Sequence, residues 1–329
     1  MLSVICPIYN EEIYIAQCIE SILQQDYPKD DLEVLLVDGM STDKTRAIVA
    51  DYSARYPFIK LIDNPRKIVP CAMNIGIKAS KGDIIIRLDA HANYEKDYFS
   101  VLSRRLIELN ADNVGVVCKT DVLNKTPKTL TIREVLSNKF GVGNSTFRTG
   151  VDEVRQVDTV PFGCWRREVF ERYGLYDERL IRNQDIELNK RIIRGGGKIY
   201  IVPDTFCTYF ARERFSALAK NNYANGKWNI LTVHYTKQMS SLSLRHFIPC
   251  LFVLSLIFPS LLAILWWPLS IISVLSLLVY LLDLSAISLR LSISKGLNFV
   301  YLLVSFATLH ISYGFGSLIG ILKLPFIKK

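Results

Sequence analysis

The chain has only four histidines, and its seven cysteines include no CxxC pair. Cys6, Cys18, Cys71, Cys118, Cys164, Cys207 and Cys250 are scattered and odd in number. That argues against a disulfide framework or a structural zinc site and places the front of the chain in a reducing compartment. No GxGxxG and no GxxxxGK[ST] follows a predicted strand, which removes the dinucleotide fingerprint and the P-loop. Despite a formal net charge of +9, no patch of basic residues interleaves with aromatics, so nucleic acid is not an expected partner. Residues 1–7 lack the basic region and small-residue cleavage site of a signal peptide and read as a first core strand, so export of the front part is not expected.

With 329 residues, half of them hydrophobic, the chain is long enough for one or two domains with sizeable cores. The front carries an ordinary soluble balance of charge. After Arg245 the charged residues are only Asp283, Arg290, Lys295, Lys323, Lys328 and Lys329, so the apolar excess belongs to the tail.

Up to about residue 120, short apolar runs alternate with helical periods. Strands are predicted at 2–6, 33–37, 59–62, 83–88 and 114–118, and helices at 11–25, 42–56, 69–79 and 96–110, with Ser41 placed to cap the second helix. The pattern is α/β and doubly wound. From 121 to 160 the signals weaken, and residues 141–150 read as a long loop. A helix at 185–194, stopped by Gly195-Gly196-Gly197, and a strand at 198–202, ended by Pro203, follow.

The tail contains apolar stretches at about 247–269, 270–289 and 297–322. The first two are expected to form a transmembrane hairpin turning near Trp266-Trp267-Pro268, with Lys237, Arg245 and Lys295 on the inner side. For the third, crossing and a re-entrant or interfacial course both stand. Crossing would leave Lys323, Lys328 and Lys329 outside, against the positive-inside tendency, and the stretch contains His310, Gly314, Gly316 and Gly320.

Ligands of doubly wound sheets sit outside the carboxyl ends of the strands. The first strand runs into Pro7-Ile8-Tyr9-Asn10-Glu11-Glu12, the second into Asp38-Gly39-Met40-Ser41 and the fourth into Asp89-Ala90-His91. Further on stand Thr159-Val160-Pro161-Phe162-Gly163-Cys164-Trp165-Arg166 and Asn183-Gln184-Asp185. In their order and spacing, residues 2–235 resemble the family 2 glycosyltransferases of the GT-A fold. Within that family the chain is most similar to membrane-bound glucosyltransferases of the succinoglycan-biosynthesis type.

The resemblance implies a GT-A nucleotide-diphospho-sugar transferase fold, a doubly wound mixed sheet, followed by C-terminal transmembrane helices. Residues 1–120 would form the nucleotide-sugar-binding half, 121–245 the acceptor-binding half and 246–329 the membrane region. Pro7, Tyr9, Asn10 and Glu11 match the family's first nucleotide-binding motif, and Asp38 matches the acid that hydrogen-bonds the nucleobase. Asp89 and His91 stand where the family usually has Asp-x-Asp, the motif that meets the ribose and the divalent metal. With His91 in second place, a metal site tilted toward Mn²⁺ over Mg²⁺ is expected, since imidazole suits Mn²⁺ better than Mg²⁺. Asn93 and His234 are candidates for a third ligand.

Trp165, Arg166 and Gln184 match the acceptor side, and Asp185 matches the general base of an inverting transfer, at a helix start where the dipole favours its ionised form. Lys227 and Trp228 are what remains of the Gln-x-x-Arg-Trp motif of processive members. Lys227 would meet the diphosphate and Trp228 the acceptor sugar, and the missing Gln favours single addition.

These matches imply an enzyme at the cell membrane, multi-pass, with its catalytic domain on the cytoplasmic side. It would move one hexose from a nucleotide sugar, UDP-glucose first, to a lipid-linked saccharide in exopolysaccharide or envelope glycan synthesis. Two other readings stand beside it. One is transfer to a bare polyisoprenyl phosphate, and the other is a non-catalytic membrane scaffold with a degenerate site.

Overall fold

A computed structural model describes residues 1–239 and 242–327. Lys328 and Lys329, which enter the charge argument for the tail, lie outside the described residues. The chain divides into two compact units, Met1–Lys119 with Thr146–Phe210, and Thr120–Ser145 with Ala211–Lys329.

The first unit opens with β1 (Leu2–Ile8), α1 (Ile15–Leu23), β2 (Leu32–Asp38), α2 (Thr45–Arg55), β3 (Ile59–Asp63) and α3 (Val69–Ala79). It continues with β4 (Ile84–Arg87), β5 (Ala92–Tyr94), α4 (Tyr98–Glu108) and β6 (Asn113–Asp121). The second unit then contributes α5 (Pro127–Ser137) and α6 (Lys139–Val142). The chain returns with α7 (Thr146–Thr149), β7 (Arg155–Gln156), β8 (Cys164–Arg166), α8 (Arg167–Tyr173), α9 (Gln184–Arg194) and β9 (Ile199–Phe210). The second unit is completed by α10 (Phe215–Thr236), α11 (Ile248–Leu262), α12 (Leu269–Lys295) and α13 (Phe299–Lys323).

One mixed sheet runs β3-β2-β1-β4-β8-β6-β9-β5, with β7 also paired to β9. The pairs among β1 to β4 are parallel, and β8, β5 and β7 pair antiparallel. Both faces are covered, which is why β2 is apolar at nearly every position and wholly buried. Alternation assigns the sides: Leu2, Val4, Cys6 and Ile8 of β1 pack with α1, α2 and α4, whereas Ile5 packs with α3, α8 and α9.

The five predicted strands of the front match β1, β2, β3, β4 and β6, and the four helices match α1 to α4. Three differences have local causes. Helix α1 starts at Ile15 because the Glu11 amide is drawn to the Thr45 hydroxyl, 2.8 Å. Ser41 does not cap α2, which starts at Thr45; its hydroxyl bonds Asp38 instead. Strand β9 runs through Pro203 to Phe210. The proline falls between the residues paired with β7 and those paired with β5.

Residues 141–150, expected as loop, carry the short helices α6 and α7, and α5 was not predicted; its start is fixed by a Thr126–Thr129 capping box. Strands β8 and β9 share the sheet of β1 to β4, and residues 146–210 fall in the same compact unit as residues 1–119.

In the second unit, Val135 of α5 joins Leu284, Leu291, Leu302, Phe306 and Leu309 in one core. Of the two stretches expected to form a membrane-crossing pair, the first gives only the 15-residue α11. At about 1.5 Å per residue it reaches about 22 Å, short of the roughly 30 Å hydrocarbon core. By length and composition, the helices that reach a membrane's thickness are α12 and α13, the latter continuous through the third stretch.

Candidate active site

The carboxyl ends of β1, β2 and β4 lie side by side, because β1 pairs Ile8 with Asp38 and, on its other edge, Ile5 with Arg87. Pro7 falls beyond the residues paired with β4, so its missing amide costs that ladder nothing. The loops after β1 and β2 are stitched together. The Asn10 amide donates to the Ser41 hydroxyl at 2.8 Å, the Thr42 amide to Asn10 Oδ1 at 2.9 Å and the Lys44 amide to Glu12 Oε2 at 3.1 Å. Asn10 holds a φ of 54°, a left-handed turn that asparagine tolerates. Tyr9 stands 45% exposed with its ring against Gly39, presenting an aromatic face at the strand ends.

Asp38 is fully buried. Its carboxylate accepts from the Ser41 amide at 3.0 Å, the Ser41 hydroxyl at 2.5 Å and Arg46 at 2.5 Å. It shapes the loop and, in this conformation, has no surface to offer a nucleobase, which corrects the role the resemblance implied.

After β4, His91 Nδ1 lies 2.9 Å from Asp89 Oδ1 and 3.2 Å from Glu11 Oε1, and Nε2 lies 3.1 Å from the Tyr209 hydroxyl. Burial opposes charge on the imidazole, but Asp89 and Glu11 outweigh it and push its pKa up to about 12. Burial likewise opposes the Asp89 carboxylate, and the His91 charge, with Arg87 behind it, holds that carboxyl at about 2. Asp89 therefore fits a divalent cation, as a hard, ionised oxygen donor. His91 in this arrangement does not, because a protonated ring has no lone pair to give. Among the described residues no group of three His, Cys, Asp or Glu side chains frames a metal. Arg148 of α7 lies over the Tyr209 ring at 5.5 Å.

Two residues before Asp89, Arg87 reaches across to Asp185 in the first turn of α9 and pairs with it. The Arg87 side chain is 7% exposed and that of Asp185 23%. Burial raises the Asp185 carboxyl above its ordinary value against the pull of Arg87, and the charge of Asp89 adds to the rise. The expected help from the helix start is thus outweighed. Arg87 Nε and Gln184 Oε1 are buried around this pair without hydrogen-bond partners among the described residues, and the buried Tyr176 hydroxyl lies beside Arg87. Unsatisfied buried polar atoms cost stability and mark a place built for something other than packing.

The remaining expected residues separate. Gln184 is 7% exposed and precedes Asp185 at the start of α9. Trp165 is 1% exposed, packed on Phe170 and Tyr176, so it is core and meets no acceptor. Arg166 pairs with Ile84, at the start of β4, about 16 Å along the strand direction from Asp89. It lines a polar pocket of about 210 Å³ with Asp112, Glu168, Arg172 and Lys198, at the wrong end of the sheet for an acceptor contact. Asn93, in β5, pairs with Thr208 of β9. Lys227, Trp228 and His234 all lie on α10, in the second unit. Arg87, Tyr209 and Arg148 were not singled out from sequence. Of these, Arg87 had a signal, a charged residue inside an apolar strand run.

The model of glycosyl transferase family 2 matches residues 3–174. A relative from Methanococcus voltae, a dolichyl N-acetyl-alpha-D-glucosaminyl phosphate 3-beta-D-2,3-diacetamido-2,3-dideoxy-beta-D-glucuronosyltransferase, is 30% identical over 230 residues, covering 68% of this chain and 71% of its own. The succinoglycan biosynthesis protein ExoA of Rhizobium meliloti is 29% identical over 266 residues, covering 80% of this chain and 78% of its own. Among solved structures, a mannosyltransferase from Pyrobaculum calidifontis, in complex with GDP-Man and Mn²⁺, superposes with a TM-score of 0.59 at 18% identity, over 98% of this chain and 87% of that one. With the sheet order and the acidic strand ends, these place the chain in glycosyl transferase family 2, as a glycosyltransferase of the GT-A fold.

Proposed function

We propose that this glycosyltransferase transfers one hexose with inversion, from UDP-glucose, to a lipid-linked saccharide, with Asp185 as general base. The observation that carries the reading is the Arg87–Asp185 pair. Arg87, two positions before Asp89 along the chain, holds the Asp185 carboxylate at the edge where the donor's diphosphate is expected. An inverting transfer needs a base within hydrogen-bond reach of the acceptor hydroxyl, opposite the leaving group. Burial lifts Asp185 toward a more basic value while Arg87 fixes its orientation.

Tyr9 offers its exposed ring to the nucleobase, and Asn10 and Glu11 hold the loop that carries it, through Thr42, Ser41 and His91. A divalent metal, held by Asp89, would neutralise the departing diphosphate. Preference for Mn²⁺ over Mg²⁺ requires His91 to surrender its proton and its Glu11 contact and become a second ligand. Lys227 and Trp228 are assigned to diphosphate and acceptor by family position. The lipid-linked acceptor is supported by the Methanococcus voltae relative, whose name gives a dolichyl phosphate-linked sugar as acceptor, and by the succinoglycan role named for the Rhizobium meliloti relative. A cell-membrane location with the catalytic unit facing the cytoplasm follows from that acceptor and from the apolar tail.

Release of nucleoside diphosphate from a panel of nucleotide sugars, by membranes carrying the full chain with a lipid-linked acceptor extract, tests the reading. Selective, metal-requiring release from UDP-glucose that is lost in Asp185→Asn is expected. Equal turnover in Asp185→Asn would remove the base assignment, and transfer to bare polyisoprenyl phosphate alone would replace the acceptor.

A further inference from the structure

The second unit contains a contradiction with its own hydropathy. By length α13 qualifies as a membrane span, yet α10 lies along it, in the same direction, for most of its course. Phe215 meets the Tyr301 ring at 6.2 Å, Ser317 Oγ donates to the Gly226 carbonyl at 3.1 Å, and a Cβ on Gly320 would lie 2.9 Å from the Lys227 carbonyl oxygen and from Ile230 Cβ. The two backbones touch through glycines: a Cβ on Gly226 would land on the Tyr313 carbonyl oxygen, and one on Gly316 on that of Tyr223. Helix α10 carries Lys220, Asn221, Asn222, Asn225, Lys227, Asn229 and His234. Hydrocarbon excludes such a helix, so it also excludes a course of α13 from one side of the bilayer to the other.

The α11–α12 pair is different. The outer ends of these helices bond to each other, Ser255 to Ser276 at 2.6 Å and Ser273 Oγ to the Leu256 carbonyl at 2.9 Å. Around them Phe258, Leu261, Ile264, Leu265, Val274, Leu275 and Leu278 are each half or more exposed, and Trp266 and Trp267 cap the turn at 63% and 71%. The two uncharged arms match in length. Helix α11 has 15 residues, about 22 Å, and α12 runs from Leu269 to the residue before Asp283, about 21 Å. Past Asp283, α12 returns to the unit's core through Leu284 and Leu291, and its end is held by Lys295 on Glu134 at 2.8 Å.

We propose that, among the described residues, the α11–α12 hairpin, led by Trp266 and Trp267, is the only part that enters the lipid bilayer, and that α13 stays with α10 on one side, so that Lys323 lies on the same face of the membrane as Lys220. Lys237, Arg245, Lys295 and Lys323 then share one side, as the positive-inside tendency asks. The occupant of the exposed hairpin face is a lipid bilayer. The inference rests on the reading that the chain is held at a membrane.

The test uses the full chain in sealed membrane vesicles of known orientation, with a membrane-impermeant maleimide. The seven native cysteines are buried, so Lys220→Cys and Lys323→Cys, both at exposed positions, report their own side. Labelling of both from the same face, with yields within about twofold, is expected. Labelling of Lys323→Cys only from the face opposite Lys220→Cys overturns the inference and leaves the membrane reading intact. A wild-type chain absent from the membrane fraction overturns that reading itself. In a second variant, Leu278→Lys on the exposed arm of α12 is expected to cut retention after an alkaline wash about tenfold or more; unchanged retention counts against the hairpin.

Discussion

Arg87 of β4 and Asp185 of α9, 98 residues apart, meet as an ion pair at the carboxyl edge of the sheet, with Asp89 two positions further along the chain. The pair separates two roles that one substitution each can expose. Asp185→Asn keeps a hydrogen-bond partner for Arg87 but removes the base. Turnover is expected to fall about 100- to 10,000-fold, with nucleoside diphosphate affinity unchanged. Calorimetric titration of UDP beside a turnover assay checks both halves, and loss of UDP binding would show that the residue acts on the donor instead.

Arg87→Gln leaves Asp185 partly buried without its countercharge. Stability is expected to drop by on the order of 3 kcal/mol, the size found when one member of a buried pair is removed. The pH profile carries the more specific sign. Burial already raises the Asp185 carboxyl and Arg87 opposes that rise, so without Arg87 the folded-state pKa climbs further. A base must be ionised, so activity appears only above that pKa. The acidic limb of the turnover profile is expected to move to higher pH in Arg87→Gln, and a limb that stays put or moves down would exclude Asp185 as the titrating base.

Much of this site was legible in the sequence because period and strand-end chemistry are local. The apolar runs of β1 and β2 give the sheet, and an acid after a strand in a doubly wound pattern points to its carboxyl edge. What was not legible depends on register and on partners far along the chain. Trp165 and Arg166 look like binding residues until the antiparallel pairing of β8 with β4 turns one into the core and carries the other to the strand's start. His91 looks like a neutral ligand until Glu11, 80 residues earlier, is found beside it. The tail's hydropathy shows three apolar stretches and leaves the course of the third open, but only packing shows that α13, formed by that third stretch, is paired with a polar helix.

The glycine contact between α10 and α13 gives a prediction about stability. At Gly316 an added Cβ meets the Tyr223 backbone, which cannot move aside as a flexible side chain would. Gly316→Ala is expected to cost about 1–3 kcal/mol, the scale of overpacking, and Gly316→Val more. Thermal unfolding in detergent and limited proteolysis between α10 and α13 measure it. Equal melting temperatures for wild type and both variants would mean that the two helices do not pack this closely.

Tyr9 tests the donor side. Its exposed ring makes little of the fold, so Tyr9→Ala is expected to leave the melting temperature nearly unchanged. Stacking of an aromatic ring on a base is worth about 1–3 kcal/mol, which predicts a donor KM raised roughly 5- to 150-fold at nearly constant kcat. Tyr9→Phe keeps the ring and is expected to stay near wild type. If Phe and Ala behave alike, the hydroxyl rather than the ring is what the donor meets.

Lys227 separates a binding role from a structural one. Burial lowers its ammonium pKa, and the neighbouring Lys323 lowers it further. A lysine whose folded-state pKa is depressed disfavours the fold where it must be charged. Its contribution therefore improves as pH rises through the folded value toward the ordinary 10.5 and is worst below it. Lys227→Gln is accordingly expected to raise the melting temperature slightly at neutral pH, with the gain shrinking as pH approaches 10.5. If Lys227 also meets the diphosphate, the same variant loses turnover while gaining stability, the trade expected where function holds a residue in an unfavourable place. A variant less stable than wild type at neutral pH would show that Lys227 has a favourable partner in the fold, and the charge repulsion argued from Lys323 would fall.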